Sequence, residues 1–540
     1  MATVFMKWLE TRPEDYDRGI RLLTLGRLKE LQGQIVSRMI QEGVQVLEIG
    51  CGTGALTVSM AQAGATVVGI DIAAGMLAQA ERRVQALGLE NRVTLTLMDA
   101  AIVAERFEPA SFDLIVSSLA FSEMTPQAQA FVLESCLHLL TTGGRLVVLD
   151  EVSPDGILER LVVSSVRLPL RLVTWLLTRA TTHPLRDFRS TLSRTGFVAQ
   201  IVASRLSGSL QLIVATPAHD FEVGKIPAIV HGRLRHRVTL RTRIIDLWAT
   251  FFRILPPYPK VVPGLYSVGE VSVDSPVLVT GNFDLTVRAL LKAIDGRLDA
   301  WVLVVDSAGI NVWCAAGGGF LTAEKIIGAL RISRLDEIVR HRILILPQLA
   351  ANGVDGWRIR EQTNWGVHWG PIRAADLPAY LEAGRKKTEA MRHVRFPLRD
   401  RLEMMAATLG FYGLMILVPV AIFWRTMFWP VAVSMIGLSA FYTVVLPWLP
   451  GRDGLAKSFP LALIALIGMF IYSKLWAPVP VSGLFDRAIG LTALSVFVGA
   501  ELQGMSPLMR GEQANWGWEA FIGVLLGLTY WLLPMALGWR

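Results

Sequence analysis

Hydrophobic and polar positions change their rhythm along this chain. Short apolar runs rich in β-branched residues come first: QVLEIG, TVVGID, RVTLTLMD, FDLIVSS and GRLVVLDE, all before residue 152. Segments of helical period lie between them. Strands alternating with helices predict a parallel, doubly wound sheet. GFVAQIVASR and GSLQLIVATP follow, and their spacing predicts a closing antiparallel pair. A second α/β unit is expected from SPVLVTGN, DAWVLVVDS and HRILILPQL as strands, with LTVRALLKAI and AEKIIGALR as helices. From about Met405 the alternation stops. Five apolar stretches follow, at 405–424, 428–448, 458–476, 488–504 and 518–538. Each is long enough to cross a hydrocarbon core of roughly 30 Å as a helix.

The expected organisation is therefore 1–217, a basic linker 218–262, a second α/β domain 263–404, and an all-α domain of five membrane spans 405–540. Composition agrees. Hydrophobic residues make up 52% and charged residues only 18%, and mean hydropathy is +0.45, high for a soluble protein. A net charge of +8 suits nucleic acid or an anionic membrane surface. The apolar C-terminal third favours the membrane, and no nucleic-acid partner is expected. Arg392, Arg395, Arg399 and Arg401 precede the first span, Arg452 and Lys457 lie between the second and third, and Arg510 between the fourth and fifth. The other side carries only Arg425, Lys474, Arg487 and Arg540. The positive-inside rule then puts residues 1–404 in the cytoplasm of a multi-pass protein of the inner membrane. MATVFMKWLE has no long apolar core, so no secretory signal is expected. The segment 157–180 is apolar, but Arg160, Arg167, Arg171 and Pro169 argue against a span. It reads as a lid, a membrane-surface helix or a helix packed on the sheet. Within the linker, HGRLRHRVTLRTR reads as a solvated or lipid-facing charge stripe.

The first chemistry lies in VLEIGCGTGAL, a strand, a glycine-rich turn and a helix start. Gly50, Gly52 and Gly54 let a ligand approach the backbone. Asp71 ends the next strand, where a carboxylate can accept both ribose hydroxyls. Asp99 and Ala100 end the third strand, placed for an adenine edge. Glu48 through Gly54, Asp71, Asp99 and FDLIVSS at 112–118 resemble the class I S-adenosylmethionine-dependent methyltransferases over residues 35–217. The resemblance implies a Rossmann-like fold and S-adenosylmethionine as cofactor, bound by these residues. SSLAFSEM follows strand four in place of an Asn-Pro-Pro-Tyr loop, so a DNA base is not the expected acceptor. Enzymes of the quinone-methylating sort are closer, and many of them act mainly by holding donor and acceptor in line. Glu123 and Asp150 are the candidate bases, each equally readable as a plain surface or strand-end acid.

The chain has three cysteines, Cys51, Cys136 and Cys314, and no CxxC, so zinc ribbons and iron–sulfur clusters have no support. Cys314 stands in GINVWCAAGGG. One soft thiolate cannot build a zinc site, but it can complete a metal whose other ligands come from a macrocycle. A buried structural cysteine is the plain alternative. NVWCAAG closely resembles the cap-helix motif of the HgcA family, the corrinoid proteins of microbial mercury methylation. PGLYSVG at 263–269, SPVLVTGNF at 275–283, HRILILPQLAANGV at 341–354, WGPIRAADLPAYLEAG at 369–384 and LPWLPGR at 446–452 extend the likeness. It implies a corrinoid (cobalamin) whose cobalt takes Cys314 as lower ligand, capped by Asn311, Trp313, Ala315, Ala316 and Gly317. It implies Hg(II) or a similar soft ion as methyl acceptor, and a ferredoxin-like iron–sulfur partner as reductant. The chain departs from the family at Gly318-Gly319-Phe320, where Lys-Gly usually follows the motif. The expected activity is a membrane-anchored, corrinoid-linked methyltransferase. The alternative is a quinone, lipid or small-molecule methyltransferase whose second domain has become a docking module.

Overall fold

The computed structural model describes residues 13–153, 184–185, 187–218, 230–252, 259–451, 454–476, 478–502 and 516–538. The segment 157–180 lies outside them. Helices α1 (Pro13–Leu23) and α2 (Arg27–Met39) lead into the first sheet. Its strands are β1 (Gln45–Ile49), β2 (Thr66–Asp71), β3 (Val93–Leu97), β4 (Phe112–Ser118), β5 (Leu140–Glu151), β6 (Phe197–Arg205) and β7 (Leu210–Pro217). The order is β3-β2-β1-β4-β5-β7-β6. β1 to β5 run parallel, and β7 is antiparallel to both β5 and β6. Helices α3 (Ala55–Gln62), α4 (Ala74–Ala86), α5 (Pro126–Leu139) and α6 (Phe188–Arg194) cover the sheet. Val46, Leu47, Ile115, Val147 and Val148 are fully buried. Such two-sided burial is why the central strands read as unbroken apolar runs. The expected Rossmann-like arrangement, with its closing antiparallel pair, is present.

The expected linker contains structure. Val230–Arg233 forms β8, and Leu240–Phe252 forms helix α7. β8 joins the edge of the second sheet, whose other strands are β9 (Gly264–Val268), β10 (Val277–Gly281), β11 (Ala300–Val305), β12 (Ile343–Leu346) and β13 (Gly366–Trp369). The order is β13-β12-β10-β11-β9-β8. β13, β12, β10 and β11 are parallel, and β9 is antiparallel to β11. Helices α8 (Asp284–Ile294), α9 (Val312–Gly317), α10 (Ala323–Ser333), α11 (Gly356–Thr363) and α12 (Leu377–Glu382) accompany it.

The two α/β units share one hydrophobic core, which runs from Leu47 and Ile115 through Ile326 and Ile327 to Leu346. Ion pairs cross the seam between Arg331 and Glu105 (2.8 Å) and between Arg334 and Glu134 (3.3 Å). Arg358 donates to the carbonyl of Leu97 on the edge strand β3 (3.3 Å).

Helices α13 (Leu398–Phe423), α14 (Phe428–Val445), α15 (Gly454–Leu475), α16 (Val481–Glu501) and α17 (Trp516–Ala536) complete the chain. Among the described residues four helices, not the expected five, are long and apolar enough to cross a membrane: α13, Arg425–Val445, α15 and α16. The described apolar part of the fifth, Val524–Ala536, is shorter. Many of their large apolar side chains point outward, including Val433, Ile436, Ile467 and Phe470.

Candidate functional site

The glycine turn has the geometry its residues require. Gly50, Gly52 and Gly54 have φ of 73°, 54° and 76°, a region other residues rarely occupy. A side chain on Gly50 would strike Ala120, and one on Gly54 would strike Ala80. At Gly52 the space is open. The Asp71 carboxylate accepts from the Gly52 amide and from the Ala73 amide, each at 2.8 Å. Its pKa is raised by burial, against the pull of these backbone donors. Glu48 is buried under the turn and accepts from the Thr57 hydroxyl. Burial raises its pKa to about 8, so it is mostly neutral at pH 7. An open backbone at Gly52 beside the Asp71 carboxylate fits an adenosyl group. Asp99 accepts from the Ala101 amide at 2.8 Å and caps the short helix Ala100–Ile102. Burial raises its pKa to about 6.

Two further residues roof this site, and sequence reasoning passed over both. Tyr16 on α1 has its pKa raised by burial and then by the carboxylates Glu123, Asp71, Asp17 and Asp150. Asp17 accepts from the Thr53 hydroxyl and from Arg83, each at 2.6 Å, and so ties α1 to the turn. A Tyr-Asp pair on a helix ahead of a glycine turn was the available signal. Beyond β4 and β5, Asp150 is fully buried and accepts from the amides of Ser122 (3.1 Å) and Glu151 (2.7 Å). Burial raises the Asp150 pKa to about 7, and that of Glu123, whose side chain reaches the surface, is raised to about 7 by desolvation of its carboxyl and by the charge of Asp150.

In the second unit the loop after β11 is held from β10. The side-chain oxygen of Asn282 accepts from the Ser307 amide (3.0 Å), the Ser307 hydroxyl (3.0 Å) and the Gly309 amide (2.9 Å). Its nitrogen donates to Asp306 at 2.8 Å. This clamp was also missed. An Asn directly after a buried strand and a glycine was the hint. The loop delivers Asn311, whose side chain accepts from the Cys314 amide at 3.0 Å and caps α9. Burial pushes the Cys314 thiol pKa up, and its contact with Asn311 opposes that. Trp313 and Cys314 are half-buried and Gly317 is exposed. Ala315 and Ala316 do not line this face. They are buried in the core, because helical spacing turns them away from Cys314. Gly317 packs against Asn352 at 2.8 Å for an added Cβ, and Gly353 closes on the Ala316 carbonyl. Among the described residues no group of three metal-ligating side chains surrounds Cys314. A single, half-buried thiol suits a metal that brings its other ligands with it.

Asp306, at the carboxyl end of β11, and Lys260 both act on the charge of Glu123 beyond β4. Lys325 of α10 bonds the carbonyls of Phe320 (2.9 Å) and Asp306 (3.4 Å), and its charge lowers the pKa of Asp99. Gly328, one turn on, meets the Asp99 carboxyl, with no room for a side chain.

Known proteins divide at the same seam. Residues 46–144 match a family described as a methyltransferase domain. Residues 255–381 match the CO dehydrogenase/acetyl-CoA synthase delta subunit family. An uncharacterized methyltransferase of Synechocystis sp. (sll0829) is 30% identical over 220 residues, 40% of this chain and 97% of that one. Subunit gamma of the acetyl-CoA decarbonylase/synthase complex from Methanopyrus kandleri is 36% identical over 124 residues, and that from Methanothermobacter thermautotrophicus 35% over 131. These stretches cover 23% and 24% of this chain, and 26% and 28% of the gamma subunits. The chain thus spans about a quarter of their length.

Proposed function

Because the chain belongs to the methyltransferase family through its N-terminal domain, we propose that it passes a methyl group from S-adenosylmethionine, by way of a corrinoid at Cys314, to Hg(II) or a similar soft metal ion. The observation that carries this reading is that the two α/β domains pack on one another, with Asp99 of the first against Gly328 of the second. Donor and carrier domains share one core, and the charges of Asp306, after β11, and of Lys260 are felt at Glu123, after β4. Such proximity makes the transfer intramolecular, which is where most of the rate advantage of positioning comes from.

Within this reading Gly52 and Asp71 hold the adenosyl part, and Asp99 its base. Asn311 caps α9 and so fixes the position of Cys314 at its start. A corrinoid, when bound, would supply a cobalt able to carry a methyl group, and Cys314 would be the residue that holds the metal, its sulfur donating electron density that favours release to a soft acceptor. The methyl group leaves the sulfonium as a cation equivalent and reaches the metal ion as a carbanion equivalent. The two electrons that make up the difference come from a reductant, and a ferredoxin-like iron–sulfur partner fits a chain whose three cysteines lie far apart. The four candidate spans would hold this assembly in the cytoplasmic membrane, with both α/β domains on the cytoplasmic side.

A second reading rests on Glu123 and Asp150, whose pKa near 7 suits removal of a proton from a quinol-like hydroxyl. The second domain would then be a docking module. The visible spectrum of the detergent-purified chain loaded with cobalamin, beside Cys314→Ala, separates the two. The relay requires a bound corrinoid whose bands shift when the thiol is lost. No bound corrinoid in either protein would sink it and leave the first domain to act alone.

A further inference from the structure

Helix α7 presents a face that neither site uses. Leu240, Ile244, Leu247 and Phe251 are 77%, 59%, 67% and 43% exposed. At about 100° per residue these four fall within about 60° of arc. Arg241 and Arg243, both exposed, flank that stripe on opposite sides. The far side faces the protein. Ala249 is buried there, and Asp246 pairs with Arg288 of α8 at 2.7 Å. Exposed Arg233, Arg235 and Arg237 come just before the helix.

The position of α7 identifies what covers the stripe. The backbone of Phe251 lies against Gly410 of α13, one of the four helices able to cross a membrane. Gly410 stands five residues beyond Met405, where the apolar run begins. At 1.5 Å per residue that is about 8 Å of rise, the depth at which amphipathic helices lie in a bilayer interface. The stripe thus lies beside α13, close to where the apolar run of that helix begins. The charge is positive, and the complementary surface is anionic.

We propose that α7 lies in the interface of a bilayer containing anionic phospholipid. Leu240, Ile244, Leu247 and Phe251 enter the acyl region, and Arg233, Arg235, Arg237, Arg241 and Arg243 meet phosphates. This rests on reading α13 as a membrane span. Through Asp246–Arg288 on one side and Phe251–Gly410 on the other, the helix sets the stance of the second α/β domain on the membrane.

The test uses the full chain with Cys314→Ser, so that an introduced thiol is the reactive one; Cys51 and Cys136 are buried. An environment-sensitive fluorophore is placed at Leu247→Cys, at Val433→Cys on α14, and at Trp357→Cys on the second domain. The protein is reconstituted in phosphatidylcholine vesicles with or without phosphatidylglycerol, carrying lipids spin-labelled near the headgroup or deep in the chain. The 247 label should be quenched more by the shallow than by the deep spin label, and more with phosphatidylglycerol. Arg241→Glu with Arg243→Glu should return it to the level of the 357 label. Quenching at 433 but not at 247 would overturn the proposal while leaving the spans intact. Equal quenching at 247 in both lipid compositions would overturn its anionic part. No quenching at 433 would overturn the span reading and the proposal with it.

Discussion

Gly328→Ala puts the seam between the two α/β domains under direct test. Alanine in place of glycine inside an exposed helix normally stabilises by about 1 kcal/mol. Here the added Cβ would collide with the Asp99 carboxyl, with its carbon at 2.6 Å and its second oxygen at 2.9 Å. The carboxylate cannot simply swing aside, because it caps Ala100–Ile102 through the Ala101 amide at 2.8 Å. Loss of such a cap costs about 1 kcal/mol, and overpacking a filled interface adds about 1–3 kcal/mol. Against the propensity gain, the net is a loss of about 1–3 kcal/mol. On the proposed role of Asp99 at the adenine, displacing it also removes a hydrogen-bond acceptor there, worth about 1.5–3 kcal/mol if charged. S-adenosylmethionine affinity should therefore fall about tenfold or more. Thermal unfolding and calorimetric titration of the purified chain measure both. A variant about 1 kcal/mol more stable with unchanged affinity would refute the reasoning, since Gly328 would then behave as an open helical glycine.

Further expectations follow from the same geometry. Asp71→Ala deletes the acceptor of two backbone amides and, on the proposed role, of the ribose, so S-adenosylmethionine affinity should drop about tenfold or more by calorimetry. Asn282→Ala leaves the buried Ser307 and Gly309 amides without their acceptor. At about 1–3 kcal/mol for each orphaned group, the melting temperature should fall and cobalamin loading should weaken with it. Burial raises the Glu123 pKa from 4.5 to about 7, so the unfolded state ionises first. Its contribution to stability is intact below pH 4.5, declines as pH rises, and is lost above about 7. Because the Glu123 side chain is itself exposed, solvent screening shrinks the effect, and Glu123→Gln should remove only a small part of that decline, seen in denaturant unfolding at pH 5 and pH 8.

Much of the molecule was legible in the sequence. The buried strands of both sheets announced themselves by apolar runs, and the glycine turn with Asp71 nineteen residues beyond Gly52 folded as its spacing implied. What escaped depends on contacts between distant segments. Half-polar edge strands such as VHGR have weak local patterns, so β8 was read as linker. Ala315 and Ala316 were placed on the cap because small residues invite a flat ring. Which way they face depends on the packing of α9, and the core takes them. The fifth apolar stretch had the composition of a span, yet its described apolar helix is shorter. The Asp99–Gly328 contact joins residues far apart in the chain, and neither carries a local sign of the other. Cys314 is the converse case. Its motif was conspicuous, while the Asn282 clamp that positions its loop was silent.

Transfer of an isotopically labelled methyl group from S-adenosylmethionine into the corrinoid-loaded chain, under reducing conditions, tests the central claim most directly. The account predicts label in the corrinoid fraction at a rate independent of protein concentration, as an intramolecular step requires, and its loss in Asp71→Ala. A chain that binds both cofactors yet moves no label between them would contradict it.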